Sequence, residues 1–105
     1  MAEVVPFEDP TNYRRVHLRI KRLWDAGEVE FWDHAQRRMQ EDGLDSNDVQ
    51  HVVRRGRIID HSHPNAAWRY VLEGSAVDGA QVKVVVEING ALAVVTVVNP
   101  KRRKV

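Results

Sequence analysis

His34 and Arg38 stand four residues apart in a stretch whose pattern predicts a helix. They therefore share one face of it, with Arg37 beside them. An imidazole exchanges protons near neutral pH, and a guanidinium, bidentate and always charged, suits oxyanions. A structural reading stands beside the chemical one: His34 buttresses the helix start and Arg38 packs its stem across a sheet. His61 and His63 are two apart and point the same way if extended. With His34 they would make a three-histidine zinc site. There is no HExxH helix, no cysteine and no carboxylate pattern beyond Asp60 to support it, so no metal and no cofactor are assigned. Gly-rich phosphate loops, nucleophile elbows and paired carboxylates are also missing. Trp68 and Tyr70 alternate within a predicted strand. That spacing serves core packing, or base stacking if the rings are open to a ligand.

The formal net charge of +1 conceals an uneven layout. Arg14, Arg15, Arg19, Lys21 and Arg22 cluster near the start, and Arg37 and Arg38 follow. Arg54, Arg55 and Arg57 lie in the middle, and Lys101 to Lys104 close the chain. Such clustering permits an anionic partner, RNA or an acidic protein; solvated helix faces give the same pattern.

These side chains need elements to position them. A chain of 105 residues with 43% apolar and 30% charged content suits one globular domain and one core. No apolar run approaches the roughly 20 residues that span a bilayer, and no signal-peptide pattern opens the chain. The absence of cysteine fits a cytoplasmic protein.

Residues 1–8 read as a loose lead-in, 9–99 as the domain and 100–105 as a basic tail. Asp9-Pro10 resembles an N-cap followed by proline at the first helical position. Tyr13, Val16, Ile20, Leu23 and Trp24 then repeat at helical spacing up to Gly27. Val29 and Phe31 alternate with glutamates as a very short strand or an extended link. Asp33 is expected to cap a second helix running to Asp42. In the third, Asp45 is the N-cap and Leu44 and Val49 form a hydrophobic staple. Val49, Val52 and Val53 make its buried stripe, and Gly56 ends it. Arg54 and Arg55 fall in its last turn, where cations offset the carbonyl ends. Arg57–Asp60 starts a sheet, His61–Asn65 is a loop, and Trp68–Glu73 is a second strand.

The strongest element is a hairpin of two β-branched runs about Asn89-Gly90, the pair suited to a type I′ turn. That turn pairs Ile88 with Ala91, Val86 with Ala93, Val84 with Val95 and Val82 with Val97 on an inner face. Lys83, Val85, Glu87, Leu92, Val94 and Thr96 are left on an open face. Asp78-Gly79 offers another turn. An odd-length loop there is favoured, because it sends Trp68, Tyr70 and Leu72 inward and Arg69 to the open face. The fold class is α+β: three helices, one long and N-terminal, on one face of a three- to four-stranded antiparallel meander.

Several motifs carry a family resemblance. They are His34-Ala-Gln-Arg-Arg38-Met39, Gly43-Leu44, Asp48-Val49, Gly56-Arg-Ile-Ile59, Trp68-Arg69-Tyr70-Val-Leu-Glu-Gly74, Val77-Asp78-Gly79 and Val94-Val-Thr96-Val97. Together they resemble the bacterial family termed domain of unknown function 4258. The resemblance implies a compact RelE-like α+β domain near the RelE/ParE and BrnT-type toxins. Two positions depart from the pattern: Asp42 stands where that family often has arginine, and Val98 where it often has an aromatic.

The toxin kinship implies metal-independent RNA cleavage, in which a ribose 2′-hydroxyl attacks the adjacent phosphate. His34, Arg38, Arg69 and Thr96 would then form the catalytic group, with Arg37, Lys83, Arg54 and Arg55 holding RNA. The expected partners are an acidic antitoxin and RNA, without a membrane, for a monomer or a homodimer joined through an edge strand. The alternative from another class is a non-enzymatic domain that binds protein through the open sheet face or an edge.

Overall fold

The computed structural model describes residues 9–99; the lead-in 1–8 and the basic tail 100–105 lie outside them. In chain order the elements are α1 (Tyr13–Asp25), β1 (Val29–Phe31), α2 (Asp33–Asp42), α3 (Ser46–Arg55), β2 (Arg57–Ser62), β3 (Trp68–Ser75), β4 (Gln81–Asn89) and β5 (Ala91–Val98). The fold is α+β, as expected. Val16 and Ile20 of α1, Ala35 and Met39 of α2, and Val49, Val52 and Val53 of α3 join one apolar cluster. Its sheet side is formed by Tyr70, Leu72, Val82, Val84, Val86, Leu92, Val94 and Val97.

The sheet is larger than expected. It has five strands in the order β1-β5-β4-β3-β2, and it is mixed, because β1 runs parallel to β5. The reason lies in the backbone of β5, whose outer edge would otherwise stay open. Leu92 N–H donates to the Glu28 carbonyl at 2.8 Å, and Trp32 N–H donates to the Val94 carbonyl at 3.0 Å.

Helix starts show how local chemistry is replaced by context. α1 is capped by Asn12, whose side chain accepts from Arg15 N–H, and not by Asp9. Asp9 Oδ1 instead takes the Thr11 hydroxyl at 2.7 Å and the Thr11 N–H at 2.9 Å, in a turn just upstream. Trp32, not Asp33, occupies the N-cap of α2 and makes no side-chain cap bond. Its extended backbone is fixed by β5. α3 follows expectation, with Asp45 and Asp48 closing a reciprocal capping box. Asp48 Oδ1 also accepts the Val77 N–H at 3.0 Å, tying α3 to the β3–β4 loop.

The β4–β5 hairpin differs from the type I′ expectation. Pairing runs Asn89↔Ala91, Ile88↔Leu92, Glu87↔Ala93 and Val86↔Val94, about Gly90 alone at φ 83°. Asn89 does not take positive φ; among the described residues only Asn65 and glycines do. Beyond Val94 the register shifts by one, and Val85 pairs with Thr96 and Val84 with Val97. Val95 is thus the extra residue of a β-bulge. This shift puts Leu92 and Val94 on the helix face together with Val97, all fully buried. A regular ladder would turn either the first two or the last to the other side. Leu92 and Val94 therefore leave the open face, while Thr96 stays on it.

β3 and β4 join through residues 76–80, with Ser75 opposite Gln81. The loop is odd in length, so Tyr70 and Leu72 point inward and Arg69 outward, as expected. His61 and Ser62 belong to β2 and not to the loop; His61 pairs with Tyr70. At the junction of α3 and β3, Gly56 and Gly74 meet backbone to backbone. A Cβ on Gly56 would stand 2.5 Å from the Glu73 carbonyl oxygen and 2.6 Å from that of Val52.

Candidate functional site

Alternation along the strands places Arg69, Val71 and Glu73 of β3 on the side of the sheet away from the helices. Glu87, Val85 and Lys83 of β4 lie beside them. In one cross-strand row Glu30 neighbours Ala93, Ala93 neighbours Glu87, Glu87 neighbours Arg69 and Arg69 neighbours Ser62. The next row joins Thr96, Val85, Val71 and Asp60, and a third joins Val98, Lys83, Glu73 and Arg57. Two valines, flanked by the Thr96 hydroxyl at one end and the Asp60 carboxylate at the other, thus run between two rows of mixed charge.

Arg69 is the most constrained of these side chains. Its Nε donates to Glu87 Oε1 at 2.8 Å, and its Cζ lies 5.5 Å from the Trp32 ring centroid. Carboxylate and indole each restrain the guanidinium, one by a charged hydrogen bond and the other by its ring face. Its two terminal nitrogens make no hydrogen bond to any described residue, and the side chain is 28% exposed. Trp32 reaches this position because it follows β1 at the edge of the sheet and opens α2.

Two turns of α2 carry the other candidates. His34 is exposed in the first turn and has no hydrogen bond or ion pair with a described residue. Arg38, one turn on, lies 3.8 Å from Glu41, and its Nε is buried without a hydrogen bond. Neither is joined to Arg69 or Thr96 by any hydrogen bond or ion pair. What links the helix to Arg69 is Trp32, N-cap of α2 and cover of the guanidinium at once.

The expected RNA-holding residues divide among separate places. Lys83 shares the open face, opposite Glu73 and Val98. Arg37 lies exposed over an open groove of about 650 Å³ with Phe31, Gln36, Met39 and Leu44. Arg54 forms an ion pair with Asp25 of α1. Arg55 borders a second groove of about 410 Å³ with His51, Arg57 and Glu73.

Three other histidines are tied into the structure. His17 Nε2 bonds the Val53 carbonyl at 2.6 Å and His51 Nδ1 the Ser75 carbonyl at 2.7 Å. His61 Nδ1 meets the Tyr13 hydroxyl at 2.7 Å, with its ring 5.8 Å from that of Trp68. His34 belongs to α2, which packs on β5, whereas His61 lies in β2 at the opposite edge. The three-histidine arrangement therefore does not assemble, and no metal-binding group of three His, Cys, Asp or Glu is found among the described residues. Trp68 and Tyr70 pack on the helix side, and the Tyr70 hydroxyl donates to the Pro10 carbonyl. They are not an open stacking platform.

Trp32 and Glu87 are the site residues that residue types alone did not reveal. Glu87 was findable: with an odd loop it falls opposite Arg69, an opposite-charge pair at equal distance from the turn. Trp32 carried no such signal, since its position depends on β1 joining the sheet.

The family model described as Domain of unknown function (DUF4258) matches residues 31–99, from the end of β1 to the residue after β5. No curated protein and no solved structure matches the chain. No helix among the described residues is long and apolar enough to cross a membrane.

Proposed function

The chain belongs to the DUF4258 family, and from the setting of Arg69 we propose that it is a RelE/ParE-like toxin that cleaves RNA without a metal. One observation carries the reading. A guanidinium bonded to Glu87 through Nε and covered by Trp32 lies on the open face with both terminal nitrogens free of hydrogen bonds to described residues. That is the preorganised donor pair a phosphate needs. In the reaction the ribose 2′-oxygen bonds to phosphorus and the bond to the 5′-oxygen breaks. Arg69 offsets charge on the non-bridging oxygens. His34 takes the 2′-hydroxyl proton, and the leaving oxygen gains one from water. Thr96, on the same face, supplies a further hydrogen bond, and Lys83 holds a flanking phosphate; Arg37, Arg54 and Arg55 stand apart from this face and take no part in the step. The reading extends to a bacterial, cytoplasmic setting and an acidic antitoxin that restrains the enzyme.

A second reading, a non-enzymatic protein-binding domain, is favoured by the balance of the open face. Glu30, Asp60, Glu73 and Glu87 there surround Val71 and Val85 together with Arg57, Arg69 and Lys83, so acids and bases nearly offset. Induced expression followed by growth and total RNA on a gel separates the two. Ribonuclease action gives growth arrest and RNA fragmentation, lost in folded Arg69→Ala and His34→Ala variants. Unchanged growth with intact RNA overturns the enzyme and leaves the binding domain.

A further inference from the structure

The basic cluster at the start of the chain has no part in the Arg69 site. It lies on α1, wholly before the residues that match the family. Arg14, Arg15, Arg19 and Arg22 are all exposed, and none has an ion pair or side-chain hydrogen bond with a described residue. Leu18 is 50% exposed in their midst. It stands one turn after Arg14 and one before Arg22, with Arg15 and Arg19 alongside.

This arrangement works against the helix that carries it. Arg14 and Arg15 occupy the first turn, which holds no acid, where the amide ends of the helix repel cations. Arg15 and Arg19 are like charges four apart, an unfavourable pairing. Solvation alone needs neither feature. An anionic ligand relieves both. The exposed leucine selects between anions: a phosphate backbone has no use for it, whereas an amphipathic acidic peptide covers it while its carboxylates meet the arginines.

We propose that the outer face of α1 is the docking surface for an acidic, amphipathic segment of a partner protein, with Leu18 as its apolar contact. The inference names the surface for the acidic partner of the reading above. Its test is binding alone, so failure of the RNA assay does not touch it.

The probe is a fluorescein-labelled helical peptide, 16 residues long by design, with glutamates flanking leucines at i, i+4 and i+7. Controls are its Gln-for-Glu counterpart and a labelled 20-nucleotide random RNA. Anisotropy titrations use the full chain. The acidic peptide binds wild type, and the glutamine peptide binds at least roughly tenfold more weakly. Arg15→Glu with Arg19→Glu weakens binding at least roughly tenfold, and Leu18→Ala weakens it several-fold. The double charge reversal leaves the circular dichroism spectrum intact and does not lower the melting midpoint, because Arg15→Glu puts an acid in the first turn, where the amide ends favour it. Equal affinity of wild type and the charge-reversed variant overturns the proposal. So does RNA binding that depends on the arginines and ignores Leu18. A Glu3→Gln, Glu8→Gln variant that binds the peptide tenfold more tightly also overturns it, since the chain's own first residues would then be the occupant.

Discussion

Arg69 and Glu87 face each other across β3 and β4, Nε to Oε1 at 2.8 Å, on the side of the sheet away from α1, α2 and α3. The side chains are 28% and 13% exposed, so the pair is shielded from solvent more than an ordinary surface bridge. Glu87→Ala strands a partly buried guanidinium and is expected to cost about 1–3 kcal/mol in urea unfolding. The Arg69→Ala, Glu87→Ala double variant is expected to lose less than the sum of the single losses. Strict additivity would show that the two do not interact in solution.

Gly56 sits where the end of α3 runs into β3, and the space a side chain needs is taken by two carbonyl oxygens. Gly56→Ala is expected to destabilise by about 2 kcal/mol or more, because backbone rather than a flexible side chain must move. The same change at Gly79, where a Cβ meets nothing within 4 Å, strains only the local φ of 91° and costs less. Thermal melts of the two variants give the ranking.

The β4–β5 register makes a prediction opposite to that of a type I′ turn. Leu92 is fully buried, and Leu92→Ala is expected to cost about 2–5 kcal/mol. Ala91 is only half-buried at the turn, and Ala91→Lys should cost no more than about 1 kcal/mol. A turn closed by Ile88 and Ala91 would reverse that order. Denaturant midpoints of both proteins decide.

The Asp9 carboxyl has a titration shift of known direction. Hydrogen bonds from the Thr11 hydroxyl and then the Thr11 N–H hold its carboxyl below the ordinary 3.8, since both favour the charged form. Because the folded value is the lower one, the contribution of this turn is complete above 3.8. It is lost as pH falls through the folded value. Carboxyl carbon shifts followed by NMR should give a midpoint below 3.8 in the wild type and a higher one in Thr11→Val.

Legibility in the sequence tracks how local the determining forces are. The capping box at Asp45 and Asp48 and the inward stripe of α3 were readable because every partner lies within a few residues. The odd β3–β4 loop was readable too, since only one parity buries Tyr70 and Leu72 together. Val95 was not, because a bulge answers to the helices waiting above Leu92, Val94 and Val97, and no local pattern records them. Val29–Phe31 reads equally as strand or link in the sequence for the same reason: three residues gain a strand only where distant backbone offers itself. At the site, Arg69 and its outward direction followed from alternation. The cover over it did not, because Trp32 arrives there through β1. The Zn²⁺ alternative failed on topology, with His34 and His61 assigned to opposite ends of the sheet.

The parallel seam between Val29–Phe31 and Leu92–Val94 has a bearing on how the chain is made. A ribosome releases β1 and α2 about fifty residues or more before the strand that must receive them, so neither finds its neighbour until β5 has emerged. Any nascent chain halted short of Ala91 leaves Trp32 without its anchor and Arg69 without its cover. Assembly of the open face thus waits for the last strand to emerge.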